Sequence, residues 1–175
     1  MKLKSKWPVR RFFAFLGALY LFCAVTPLLF AESGTAKSES VFRIYDTATE
    51  TVRTVNDLDF LCGALPCEMA VSAPDEALKA QIIAIHTLYD RKRRENTGKD
   101  FDFTCDSVEK SIYTVDAGLT DEEQNRVRAL CLSVLDKEIY FENEPINACY
   151  FAISAGCTQP FENVWPEKSY TYLTA

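Results

Sequence analysis

A chain of 175 residues has room for one domain of ordinary size, and its 25 acidic residues outnumber 19 basic ones, for a net charge of −6. Residues 1–31 hold five of the basic residues and none of the acidic ones, so the remainder sets 14 basic against 25 acidic residues, a balance of −11. Such a charge repels nucleic-acid phosphates and anionic lipid headgroups and argues against tight docking on anionic polymers, so no nucleic-acid partner is expected.

Lys2, Lys4, Lys6, Arg10 and Arg11 precede an apolar run over residues 12–31 that only Gly17, Thr26 and Pro27 interrupt. The run is long enough to cross a bilayer, and Leu29-Phe30-Ala31 is a poor small-x-small cleavage site. Residues 1–31 therefore read as a signal-anchor transmembrane helix, with a cleaved signal peptide as the alternative. The basic flank stays in the cytoplasm, which puts the C-terminal domain of a single-pass membrane protein outside it, or secretes the domain if the segment is cut. Residues 32–40, rich in Ser, Thr, Gly, Lys and Glu, form a polar tether.

Residues 41–45 and 51–55 alternate apolar and polar side chains around a polar turn, the pattern of a β-hairpin. Asn56 or Asp57 then caps a helix through Leu58, Phe60, Leu61 and Ala64 that ends between Pro66 and Met69. Ser72 is the expected N-cap of the next helix, with Pro74, Asp75 and Glu76 in its first turn. From Ala77 to Tyr89 that helix is apolar on most faces, which predicts a central place in the core. The charge run over residues 90–95 reads as its solvated C-terminal end. Thr120 and Glu123 form a capping box ahead of Val127, Leu130, Cys131, Val134 and Leu135 at helical spacing. Residues 139–141, a turn over 142–145 and residues 146–153 suggest a second hairpin, followed by a loop over 154–158. The whole is an α+β class, a single mixed helix and β-hairpin domain behind the N-terminal membrane segment.

Seven cysteines follow no framework spacing and include no Cys-x-x-Cys pair. Buried or free thiols are expected, with a Cys62–Cys67 bridge as the alternative. For chemistry, Glu68 stands out: a carboxyl group held beside packed apolar surface is pushed toward its neutral form and can deliver a proton to a leaving group. The single histidine, His86, lies on the apolar helix and reads as a core residue.

Glu68-Met69, a short spacer, and Glu76-Ala77-Leu78-Lys79-Ala80-Gln81-Ile82-Ile83-Ala84 resemble the signature of the stage II sporulation protein D, or amidase-enhancer, family. A second block fits the same family in the same order, running from Pro145 through Tyr150, Phe151, Ser154, Gly156 and Thr158 to Val164-Trp165 and Tyr172-Leu173. The resemblance makes residues 41–175 a peptidoglycan-active domain. It implies a lytic transglycosylase that cleaves glycan strands during sporulation and engulfment, with Glu68 as its general acid and base.

The same resemblance implies substrate contacts by Lys79, Gln81, Tyr113, Ser154, Gly156 and Thr158. It also implies peptidoglycan glycan strands, a cell-wall amidase and a membrane scaffold as partners. Departures accompany it. Where members read Cys-Asp-Ser-Thr-His-Cys-Gln-x-Tyr, this chain reads Cys105-Asp106-Ser107-Val108-Glu109-Lys110-Ser111-Ile112-Tyr113, so neither metal nor other cofactor is expected. Phe151 replaces a histidine, Ala155 replaces a glycine, and relatives continue beyond the Tyr172-Leu173 pair, which suggests C-terminal truncation. A non-catalytic glycan-binding or amidase-enhancing cell-wall protein is the alternative reading.

Overall fold

The computed structural model describes residues 40–105, 112–115, 117–154, 156–167 and 169–174. The predicted anchor, the tether up to residue 39, most of the departing 105–113 segment and Ala155 lie outside them. Among the described residues no helix is long and apolar enough to cross a membrane. The domain itself is mixed α+β, as expected.

The first hairpin forms as the alternation predicts. Strand β1 (Val41–Asp46) pairs antiparallel with β2 (Thr51–Asn56), Phe42 opposite Val55 and Ile44 opposite Arg53. Phe42 and Ile44 point into the core, whereas β2, an edge strand, is mostly exposed. On the other edge a short strand, β3 (Phe103–Cys105), lies parallel to β1 with Phe103 opposite Ile44, giving the order β2-β1-β3. No alternation announces β3. Buried Asp102 secures its start: the Arg43 backbone N–H donates to its carboxylate at 2.7 Å and the Arg43 guanidinium at 2.6 Å.

Helix α1 (Asp57–Glu68) starts where the sequence places it, with the Asn56 side chain accepting from the Asp59 N–H at 2.8 Å. It runs through Pro66 and stops at Met69, whose N–H donates to Leu65. Helix α2 (Asp75–Glu95) departs from expectation at its start. Ser72 does not cap it; Ser72 lies in a turn closed by the Ala73 N–H on the Ala70 carbonyl, and Pro74 is the cap residue. Proline has no side-chain acceptor, so its own carbonyl takes the Ala77 and Leu78 amides, and Asp75 and Glu76 supply the negative charge favoured at a helix N-terminus.

The core position of α2 is as predicted, with Leu78, Ile82, Ile85 and Tyr89 buried. Its C-terminal end is not simply solvated. Asp90, 2% exposed, accepts from Arg93 and from Arg94 (2.5 Å); Arg93 also reaches Asp57 at the start of α1 (3.0 Å), and Arg91 donates to the Pro145 carbonyl (2.7 Å). Burial of an aspartate beside arginines turned a charge run into a joint between helices. His86 belongs to the same joint: it is buried, with Nε2 3.4 Å from Asp57 and 3.8 Å from Glu138, while Nδ1 has no partner.

Helix α3 (Asp121–Val134) carries the predicted capping box, Thr120 and Glu123 each bonding the other's backbone N–H, and buries Val127, Leu130, Cys131 and Val134. The second hairpin is shorter than expected. Only β4 (Tyr140–Phe141) and β5 (Glu144–Pro145) pair, around Glu142 and Asn143, both at positive φ. Ile146 N–H still bonds the Ile139 carbonyl across the hairpin, but residues 147–153 make no strand, with Asn147 N–H donating to the Tyr172 hydroxyl and Cys149 N–H to the Asn147 carbonyl. A short helix, α4 (Phe161–Val164), closes this region, with Phe161 stacked on Trp165 and against Tyr170. None of the six cysteines among the described residues forms a disulfide.

Two outcomes follow from this packing. A Cβ at Gly63 would stand 2.5 Å from the Tyr113 ring and collide with the Thr114 carbonyl, whose backbone N–H bonds the Gly63 carbonyl. Gly63→Ala is therefore expected to destabilise the domain by about 2 kcal/mol, measured by urea unfolding. Burial raises the Asp57 carboxyl, but bonds and charges from His86 and Arg93 outweigh it and leave its pKa below the ordinary aspartate range. Its contribution to stability is thus complete above about pH 4 and lost as the pH falls through the lower folded value. Asp57→Asn should lower the thermal midpoint at about pH 7 and shrink the drop between about pH 7 and about pH 3.

Candidate functional site

Glu68 is the last residue of α1 and is half-buried, so its carboxyl group is both held by the helix and reachable from outside. The chain turns sharply after it, and the turn is clamped from α3. Arg126 donates to the Val71 carbonyl, to the Ala73 carbonyl at 2.9 Å and to Asp75 at 3.0 Å, tying residues 69–75 to a third element. The position of Glu68 is thus set by the end of one helix and the start of the next.

Two phenols face it. Tyr150, half-buried in the irregular segment after β5, has its hydroxyl pushed well up by burial, by the Glu68 charge, by Tyr89 and by a hydrogen bond to Glu68. Tyr89, buried on α2, is pushed up by burial and then by Glu68. Both phenols therefore keep their protons, and Tyr150 can donate to the carboxylate. Behind Tyr89, Lys92 places Nζ 4.5 Å from its ring centroid, and burial pushes that ammonium down against the opposing pull of Glu95 and Cys149.

Tyr150 also lines a groove of about 340 Å³ whose walls include Phe151, Thr158, Phe161, Trp165 and Tyr172. Aromatic faces beside a few hydroxyls and amides suit sugar rings, which offer apolar C–H faces and polar rims. The groove and the carboxylate therefore meet at Tyr150.

The residues expected to contact substrate are only partly gathered here. Thr158 lines the groove; Ser154 and Gly156 are exposed in the preceding loop, where Gly156 has φ 101°, a conformation that favours glycine. Gln81 is half-buried on α2 with its Nε2 enclosed and unpartnered, so it holds an unused donor. Lys79 pairs with Glu76 on its own helix at 2.7 Å. Tyr113 stacks on Phe60, centroids 5.9 Å apart, and lies over Gly63, within the packing of α1. Tyr89 was missed; its place on the apolar helix was visible, but not that it would come near Glu68. Among the described residues no group of His, Cys, Asp and Glu could hold a metal ion.

The family described as SpoIID, Stage II sporulation protein, matches residues 45–134, just over half of the chain. That span contains Glu68, Lys79, Gln81 and Tyr89 and ends before Tyr150 and the groove. Stage II sporulation protein D of Bacillus subtilis (strain 168) is 25% identical over 132 residues, covering 70% of this chain and 38% of the relative. The Bacillus amyloliquefaciens protein of the same name is 26% identical over the same coverage. The chain thus spans well under half the length of these relatives. Matched from the first hairpin to the end of α3, a span that includes Glu68, the chain belongs to the SpoIID family of stage II sporulation proteins.

Proposed function

We propose that this domain is a peptidoglycan lytic transglycosylase that cuts glycan strands during sporulation, with Glu68 as its only acid and base. What supports the reading is that Glu68, within the span matched to the family, interacts with Tyr150, and that Tyr150 lines an aromatic groove.

One carboxyl group suffices for this reaction. Glu68 in its acid form protonates the glycosidic oxygen between N-acetylmuramic acid and N-acetylglucosamine while positive charge grows on the muramic ring. As carboxylate it then takes the proton of the sugar's own 6-hydroxyl, whose oxygen closes a 1,6-anhydro ring. No water and no second carboxylate enter. Tyr150 holds the carboxylate in place by donating to it, and Phe161 and Trp165 offer faces for a neighbouring sugar. The Gln81 amide supplies a further donor.

The setting follows the same reading: residues 1–31 anchor the protein, the domain works outside the cytoplasmic membrane, and a cell-wall amidase and a membrane scaffold act with it. A second reading, a non-catalytic glycan-binding or amidase-enhancing protein, is favoured by Phe151, 63% exposed at the groove where a polar residue would serve catalysis better.

Mass spectrometry of glycan strands, with and without stem peptides, separates the two. The unmodified chain should release 1,6-anhydro-muramyl products, and Glu68→Gln should cut the rate by about 10²–10⁴-fold without loss of fold. Intact strands from a folded, unmodified chain would leave only the binding reading. Tyr150→Phe should lower kcat about tenfold with little change in KM, as expected for loss of one hydrogen bond to a charged group.

A further inference from the structure

One exposed ring adjoins the groove without lining it. Tyr172, one of the groove's walls, packs against Phe141 of β4 with centroids 5.1 Å apart and ring planes at 49°. Phe141 lies outside the groove and is 38% exposed. The other exposed rings among the described residues are Phe151, Trp165 and Tyr140. Phe151 and Trp165 line the groove, whereas Tyr140, on the opposite face of β4, has the Arg94 guanidinium 5.9 Å from its ring and donates its hydroxyl to Glu138 at 2.7 Å. The hairpin that carries Phe141 is tied to the groove at two points. Arg91 of α2 donates to the Pro145 carbonyl of β5 at 2.7 Å, with its guanidinium 5.2 Å from the ring of Tyr170, which packs on Tyr172. The Asn147 N–H, just past β5, donates to the Tyr172 hydroxyl at 2.9 Å.

From this geometry we infer that Phe141 and Tyr172 form a further sugar subsite, where an N-acetylglucosamine of the same glycan strand, beyond the sugars in the groove, stacks on Phe141. The inference rests on the reading of the groove as glycan-binding and extends it from one end of the strand's path to a second point. Tyr172 belongs to both parts, so one polymer can pass from Tyr150 across Tyr172 to Phe141 without leaving aromatic surface.

The chemistry of the hairpin selects the sugar. A pyranose ring has an apolar C–H face that packs on an aromatic ring and a rim of hydroxyls that needs polar neighbours. The residues next to Phe141 supply those neighbours: Glu142, Asn143 and Glu144 are all exposed. The Tyr172 hydroxyl, having accepted the Asn147 bond, can still donate to a sugar oxygen. Two glutamates beside the ring disfavour a carboxylate, so the uncharged N-acetylglucosamine fits better than a muramic ring with its lactyl or stem-peptide acid. Because Phe141 makes no contact with the reacting bond, its stacking strengthens ground state and transition state alike. It therefore acts on KM for long strands and leaves kcat unchanged.

The test is calorimetric titration of the full chain in mild detergent, carrying Glu68→Gln so that nothing is cut, with β-1,4-linked N-acetylglucosamine oligomers of two and of six sugars. The longer oligomer should bind more tightly. Phe141→Leu keeps an apolar side chain against Tyr172 but removes the aromatic face; it should weaken binding of the longer oligomer about fivefold and leave the shorter one unchanged. Phe141→Tyr should restore the longer oligomer's affinity. Thermal unfolding establishes that each variant is folded. Unchanged affinity of Phe141→Leu for the longer oligomer, with the shorter one still bound, would overturn the inference and leave the groove reading intact. Equal weakening of both oligomers would overturn it too, since Phe141 would then act only by supporting the groove. Failure of either oligomer to bind the folded parent chain would remove the groove reading and the inference together.

Discussion

The domain depends on four aromatic rings that meet at its centre. Phe42 of β1, Phe60 of α1, Tyr89 of α2 and Phe103 of β3 lie with centroids 4.6 to 5.7 Å apart, at tilted or edge-on angles. Each ring comes from a different element, so their burial joins the sheet to both helices at once. Burying a ring of this size contributes on the order of 2 kcal/mol or more, and tilted contacts add to that. Tyr89 has a second task. Its ring belongs to this cluster while its hydroxyl feels the Glu68 charge, so the packing that makes the core also orients the candidate acid's surroundings.

A polar joint complements the aromatic one. Asp57 and Asp90 are removed from water at the facing ends of α1 and α2, and Arg93 bridges them. Buried charges of this kind cost desolvation energy and are retained only when paired and hydrogen-bonded. Here the pairing sets the register of the two helices, because only one offset brings Arg93 within reach of both carboxylates. With that end held by Arg93 and the other by Arg126, α1 has little freedom to move Glu68. A single general acid needs such restraint, since no second carboxylate corrects its aim.

The site is asymmetric in what supports it. Its carboxylate lies on the segment shared with the SpoIID family, and the groove is built from residues beyond that match. Tyr150 links the two halves. A carboxylate on packed helices, flanked by a wall of irregular chain, suits the proposed cleavage of a long polymer at one point. The same arrangement would serve glycan binding alone if the carboxylate were idle, which is why the chemistry of Glu68 decides between the readings.

Much of this was legible from local signals. The alternation of residues 41–55, the Asn56 cap, the Thr120–Glu123 capping box and the apolar period of α2 each act within one or two turns of chain, and each formed as read. Glu68 was singled out by its motif and by its place beside apolar sequence. The failures share one cause. Ser72 lost the cap because a competing turn and the Arg126 clamp placed Pro74 there; the basic run became a buried joint because Asp90 met Arg93; residues 147–153 make no strand, with the Tyr172 hydroxyl, 25 residues away, taking an amide. Strand β3, paired with a partner some sixty residues earlier, is likewise set by packing. Sequence alone determined the first hairpin and the three long helices, because caps and periodicity are local. Only tertiary structure decided which side chains meet, because burial and charge pairing act between groups that the chain holds far apart.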